Sequence, residues 1–192
     1  MRGQDPRLPM HREMGPSCHV DHSLISAWAR DSVLGVFKTA FGLTAVQVSA
    51  PQPPEQSEEL IFSEIRFEGS VTVCIRLCMS AGGAASLSSI ALRMPSAEIC
   101  DAHLDDLVGE MSNMILGAVK SRVSDLGIPC RMLIPSVTRS QAILPTAPSE
   151  CGSTMLYFLF EKHCIAVEIS FTHTTECSQL EARLRNESQP YS

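Results

Sequence analysis

Residues 105–126, DDLVGEMSNMILGAVKSRVSDL, decide how this chain is read, and within them the four residues Glu110-Met111-Ser112-Asn113 matter most. At about 100° per residue, Leu104, Leu107, Val108, Met111, Ile115 and Ala118 gather on one helical face, which is expected to meet a core. Roughly opposite run Asp106, Glu110, Asn113 and Gly117, spaced i, i+4, i+7 and i+11. A carboxylate and a carboxamide three residues apart therefore point the same way. A glycine inside a helix costs about 1 kcal/mol relative to alanine, so Gly117 makes sense at the end of an exposed stripe if another protein's surface comes close there. Met114 and Leu116 are expected to flank the stripe as apolar rims. Spacing alone also fits a solvated helix face on which Glu and Asn meet by chance.

Towards the C-terminus, Leu126-Gly127 supplies a helix stop, and 130–134 reads as a strand that Pro135 interrupts. A short strand is expected at 141–144 and a loop at 145–152. Strands at 155–161 and 164–171, joined through Lys162-His163, form a hairpin. Towards the N-terminus, 80–93 has helical spacing, weakened by Gly82 and Gly83, neither of which lies in a phosphate-loop pattern. Segments 60–68 and 70–79 alternate around Gly69 as an antiparallel hairpin, with Val71, Val73, Ile75 and Leu77 inward and Thr72, Cys74 and Arg76 opposite. A first helix is expected over 21–41, stopped by Gly42 and carrying Trp28 as a core residue. A short strand at 44–49 and a surface loop at 51–59 follow it. Local strand pairs covered by helices, rather than alternating parallel units, predict an α+β domain: a mainly antiparallel sheet with long helices packed on it. It is expected over 21–173, between an aperiodic tail (1–20) and a polar tail (174–192) in which 176–185 is a short helix at most.

The formal net charge of −6 argues against nucleic acid as a partner. No apolar run is long enough for a membrane span, and the first residues lack the apolar stretch of a secretory signal, so cytoplasm is the expected compartment. The eight cysteines are scattered without a Cys-x-x-Cys pair, and most are expected to be reduced thiols. Cys74, Cys78, Cys130 and Cys164 lie in strand-like runs as small buried hydrophobes. Cys18, His19, Asp21 and His22 are ligand types, but they sit at the seam between tail and helix and are read as structural. No Gly-x-Ser-x-Gly, His-Glu-x-x-His or Walker pattern occurs. His103 projects within about two turns of Glu110 and is read as an exposed residue at the start of the helix. No metal site and no cofactor of the protein's own are expected.

The segment 106–117, DLVGEMSNMILG, followed by 127–135, GIPCRMLIP, resembles the signature region of the CheC/CheX family of chemotaxis phosphatases. In that signature an acidic or serine residue, a Glu, an Asn and a later proline match Asp106, Glu110, Asn113 and Pro135. One Glu-x-x-Asn helix is similar to CheX rather than to CheC, whose chain usually carries two. The resemblance implies a homodimer and a substrate that is a CheY-type receiver carrying phospho-aspartate with its own Mg²⁺ and lysine. It implies Glu110 and Asn113 as the catalytic residues, Asn113 orienting a water and Glu110 gripping the receiver's lysine. Asp106 would support the helix or the docking charge, with Met114, Leu116 and Gly117 at the partner surface. The alternative is a CheX-like module that binds receivers or other signalling proteins without accelerating hydrolysis. Ala118, where some relatives are polar, and the glycine-rich helix before the signature keep it open.

Overall fold

The computed structural model describes residues 20–50, 58–142, 144–149 and 152–173. Helix α1 (His22–Val36) is capped by Asp21, whose carboxylate accepts from Leu24 N at 2.8 Å. It continues into a π-helical turn, Phe37–Phe41, and stops at Gly42, where φ is +68°. Ile25, Ala29, Val33 and Phe37 carry its buried face. Trp28 is half-buried against the same core, with the Arg122 guanidinium 5.9 Å from its ring centre.

Among the described residues seven strands follow: β1 (Val46–Val48), β2 (Glu58–Gly69), β3 (Val71–Ser80), β4 (Cys130–Met132), β5 (Ser136–Ala142), β6 (Thr154–Phe160) and β7 (His163–His173). They form one sheet in the order β1-β6-β7-β3-β2-β4, with β5 also on β2, and each of these pairings is antiparallel. The β2–β3 hairpin forms around Gly69 as expected, with Ile65 opposite Ile75 and Phe67 opposite Val73. At the other hairpin the corner residue is Glu161, in the left-handed region at φ +49°. Strand β5 starts earlier than the short strand expected at 141–144. Val137 and Ala142 are the only apolar residues of SVTRSQA, and alternation on an exposed edge is hard to see when so little of it is hydrophobic.

Helices α2 (Ala81–Leu92) and α3 (Asp101–Asp125) join α1 on one face of the sheet. That face supplies Ile61, Ile65, Phe67, Val73, Ile75, Leu77, Phe158 and Val167 to the main core. The opposite parity, Leu60, Cys78, Tyr157 and Ala166, forms a smaller cluster closed by Leu144 from the segment after β5. Over the described residues the fold is thus three helices on a mainly antiparallel sheet, the α+β architecture expected. The first tail apart from Val20, all of the second, the predicted helix at 176–185 within it, Cys18, His19 and residues 51–57 of the predicted loop lie outside the described residues.

Candidate functional site

Helix α3 sets the site. Its buried residues are Leu104, Val108, Gly109, Met111, Ser112, Ile115, Leu116, Val119 and Val123. The core-facing stripe is therefore rotated from the expected one. Ala118 is exposed and Leu107 half-buried, while Val119 and Val123, absent from the predicted face, are fully buried. Leu116 corrects a second expectation: it is 0% exposed and cannot be an apolar rim. It lies about 90° around the helix from the centre of the stripe, on the side that turns under the sheet edge, whereas Met114 on the other side remains 36% exposed.

The stripe itself faces outward. Asp106 and Glu110 are exposed, and Asn113 and Gly117 half-buried. Among the described residues, Asp106, Glu110 and Asn113 make no intramolecular hydrogen bond or ion pair. Carboxylates and a carboxamide on a long, well-anchored helix are thus left to solvent or to a partner. Asn113 can both donate and accept, and the carboxylates only accept.

One flank of the stripe is the β4–β5 segment. A Cβ built on Gly109 would lie 3.4 Å from Val137 Cγ2, and one on Gly117 would lie 4.0 Å from Met132 Cε. The strand segment thus runs antiparallel to the helix. Pro135 of the signature lies between these two contacts in sequence, and the neighbouring Ile134 is 91% exposed. The space at Gly117 shows that the chain's own packing does not require glycine there.

The other flank is an apolar groove of about 240 Å³ between α2 and α3. Ser88, Ala91 and Leu92 line it from α2 and Leu107 and His103 from α3, with Asp106 and Glu110 along its lip. His103, expected to be exposed, is half-buried and helps to close the first turn of α3, where its Nδ1 accepts from Cys100 N at 3.2 Å.

Sequence reasoning missed what holds α3 in place. Arg139 on β5 donates from Nε to Asp105 at 2.8 Å and from Nη2 to the Asp101 carbonyl at 2.6 Å, and its Nη1 lies 3.1 Å from the Asp101 carboxylate. Hydrogen bonding to Asp105, above all, raises the guanidinium's affinity for its proton. No local signal links residues 34 apart in sequence. The cysteines also differ from the expectation. Of the four in strands, only Cys78 is fully buried, while Cys74, Cys130 and Cys164 are half-buried. Among the described residues, no three His, Cys, Asp or Glu side chains are grouped to hold a metal ion, and no helix is long and apolar enough to cross a membrane.

A helix-covered antiparallel sheet that presents an unpartnered Glu-x-x-Asn stripe defines a class of domain, and comparison with known proteins places the chain within it. The chain belongs to the CheX family: residues 61–159, more than half of its 192, match the family model described as "Chemotaxis phosphatase CheX". The match includes Glu110, Asn113 and Pro135, and excludes α1 and β7. No curated protein matches the chain in sequence. Among solved structures, CheX from Vibrio vulnificus is similar over 80% of this chain and 100% of its own, at 17% identity and TM-score 0.61. CheX from Desulfovibrio desulfuricans is similar over 77% and 99%, at 18% identity and TM-score 0.60. The CheX-CheY-BeF3-Mg complex from Borrelia burgdorferi gives 80% and 99%, 17% identity and TM-score 0.53. At these identities the likeness establishes the fold.

Proposed function

We propose that this protein is an aspartyl-phosphate phosphatase that accelerates dephosphorylation of a CheY-type response regulator in chemotaxis or two-component signalling, in the cytoplasm. The observation that carries the reading is that exposed Glu110 and half-buried Asn113 share one outward helical face, free of partners within the described residues. Family membership adds to it, as does the similarity of a CheX crystallised with CheY, BeF3 and Mg.

In this reading the partner brings the reacting centre. The receiver contributes phospho-aspartate, Mg²⁺ and lysine. In this reading Asn113 enters that centre and its carboxamide holds a water in line with phosphorus. Water oxygen bonds to phosphorus as the bond to the aspartate oxygen breaks, releasing inorganic phosphate and regenerating the carboxylate. Phosphoryl transfer depends mainly on position and charge stabilisation, so one well-placed amide accelerates what the receiver already does slowly. An amide also adds no charge beside an anionic phosphoryl group. Glu110 pairs with the receiver's lysine and sets the depth of insertion, and Asp106 adds docking charge one turn earlier. Met114 supplies an apolar contact, and Gly117 leaves room for the approaching surface. Leu116 has no part in the contact.

The test is release of phosphate from a purified receiver charged with acetyl phosphate and Mg²⁺, with and without this protein. Faster release supports the reading. Binding without faster release marks a docking module instead.

A further inference from the structure

We propose that the groove between α2 and α3 is a docking pocket for an apolar side chain next to a basic residue on the receiver domain, and that it selects which receiver is taken. The inference rests on the function proposed above and adds the part of the partner surface that confers choice. The groove lies directly beside the stripe. Its apolar walls are Ala91 and Leu92 on one side and Leu107 on the other, while Asp106 and Glu110 belong both to its lip and to the stripe. Met114, two turns beyond Leu107 on α3, extends the apolar margin past Glu110.

Three observations identify the occupant. The groove is smaller than the roughly 300–1,000 Å³ of sites that enclose a small molecule, and its size suits one or two side chains. Leu92 is 47% exposed, an apolar wall offered to solvent at the edge of a polar site. Its lip carries two carboxylates, Asp106 and Glu110, and neither meets a cation among the described residues. With Glu110 given to the receiver's lysine in the function proposed above, apolar surface beside Asp106 complements an apolar residue flanked by a further lysine or arginine. Excluding water from the groove would strengthen the ion pair at its lip. The receiver is brought to this place because the Glu110 and Asn113 side chains must enter its phosphorylated centre.

The experiment uses the full chain and a panel of purified CheY-type receivers, each charged with acetyl phosphate and Mg²⁺. Leu92→Ser removes a wall and Ala91→Gln fills the groove, and both sites are exposed, so thermal melting should stay near the parent's. Each variant is expected to raise KM for the preferred receiver by about tenfold, the loss of one good interface anchor, with kcat within about twofold. The parent's preference among receivers should shrink with it. Leu92→Met should restore KM, and Asp106→Asn should raise KM while flattening its dependence on salt. If both groove variants keep the parent's KM while Asn113→Ala abolishes acceleration, the docking inference is overturned and the phosphatase reading stands. If the parent accelerates no receiver, calorimetry with the same receivers held by beryllofluoride and Mg²⁺ decides. Affinity lost in both groove variants retains the docking pocket and discards the phosphatase. Affinity absent in the parent, or unchanged in the variants, removes the docking pocket as well.

Discussion

The guanidinium of Arg139 on β5 holds the carboxylate of Asp105 on α3 at 2.8 Å, one residue before the acidic stripe begins. With Asp101 it forms a clamp that fixes the first turns of α3 against the sheet edge. Arg139 is 20% exposed, but Asp105 and Asp101 are 41% and 84% exposed, so solvent discounts the pairing. Arg139→Met is expected to cost about 1 kcal/mol of stability. Arg139→Lys should recover only part, because an ammonium cannot match the fixed fork of donors. Thermal unfolding measures both, and an Arg139→Met protein that melts with the parent would show that the clamp contributes nothing.

Asn113 and Glu110 should separate rate from binding. Asn113→Ala removes a group that acts in the transition state, so the single-turnover rate should fall by roughly a hundredfold or more with affinity for the receiver nearly unchanged. Glu110→Gln should instead weaken association by about 2 kcal/mol and make the remaining binding less sensitive to salt. Parent-like phosphate release from both variants would reduce the stripe to a solvated helix face.

Leu116 and Met114 should also behave oppositely. Truncating the fully buried Leu116 to Ala is expected to cost about 2–5 kcal/mol in urea unfolding. Met114→Ala, at a 36% exposed site, should change stability by no more than about 0.5 kcal/mol. Its effect should be seen in receiver affinity instead. Equal losses of stability would contradict the placement of the two side chains.

Alkaline pH should loosen the second face of the sheet. Burial pushes the Cys78 thiol up to about 12 and that of Cys164 up to about 11, against an ordinary value of 9.0. The folded state therefore keeps protons that the unfolded chain releases. This contribution is complete below pH 9 and is lost as pH rises towards 11 and 12, at up to about 1.4 kcal/mol per pH unit for each thiol. Cys78→Ala should flatten the fall of melting temperature between pH 9 and 11, measured by calorimetry. An unchanged slope would mean that these thiols do not control it.

We also expect a homodimer, as the family resemblance implies. Edge strand β1 leaves Val46 58% exposed, and Leu159 beside it on β6 is 39% exposed, so this end of the sheet offers apolar surface for pairing. Light scattering at micromolar concentration should give twice the chain mass, and Val46→Lys should shift it towards the monomer. A monomer mass for the parent excludes the pairing.

Local pattern was enough to determine the β2–β3 and β6–β7 hairpins, α1 with its stop at Gly42, and the outward stripe of Glu110 and Asn113. Each depends on periods of two or about 3.6 residues and on short-range stops, which are written in adjacent residues. Side-chain spacing could not tell which residues at the borders of α3 were buried. Leu116 and Val119 are in the core and Ala118 is not, because α1 and the sheet edge approach the helix from sides that its own sequence does not record. Strand β5 was visible only in part, since an edge strand with one exposed face needs few apolar residues. The Arg139 clamp and the α2–α3 groove were not legible at all. They arise where segments distant in sequence are brought together, and only the closing of sheet and helices around one core sets those distances.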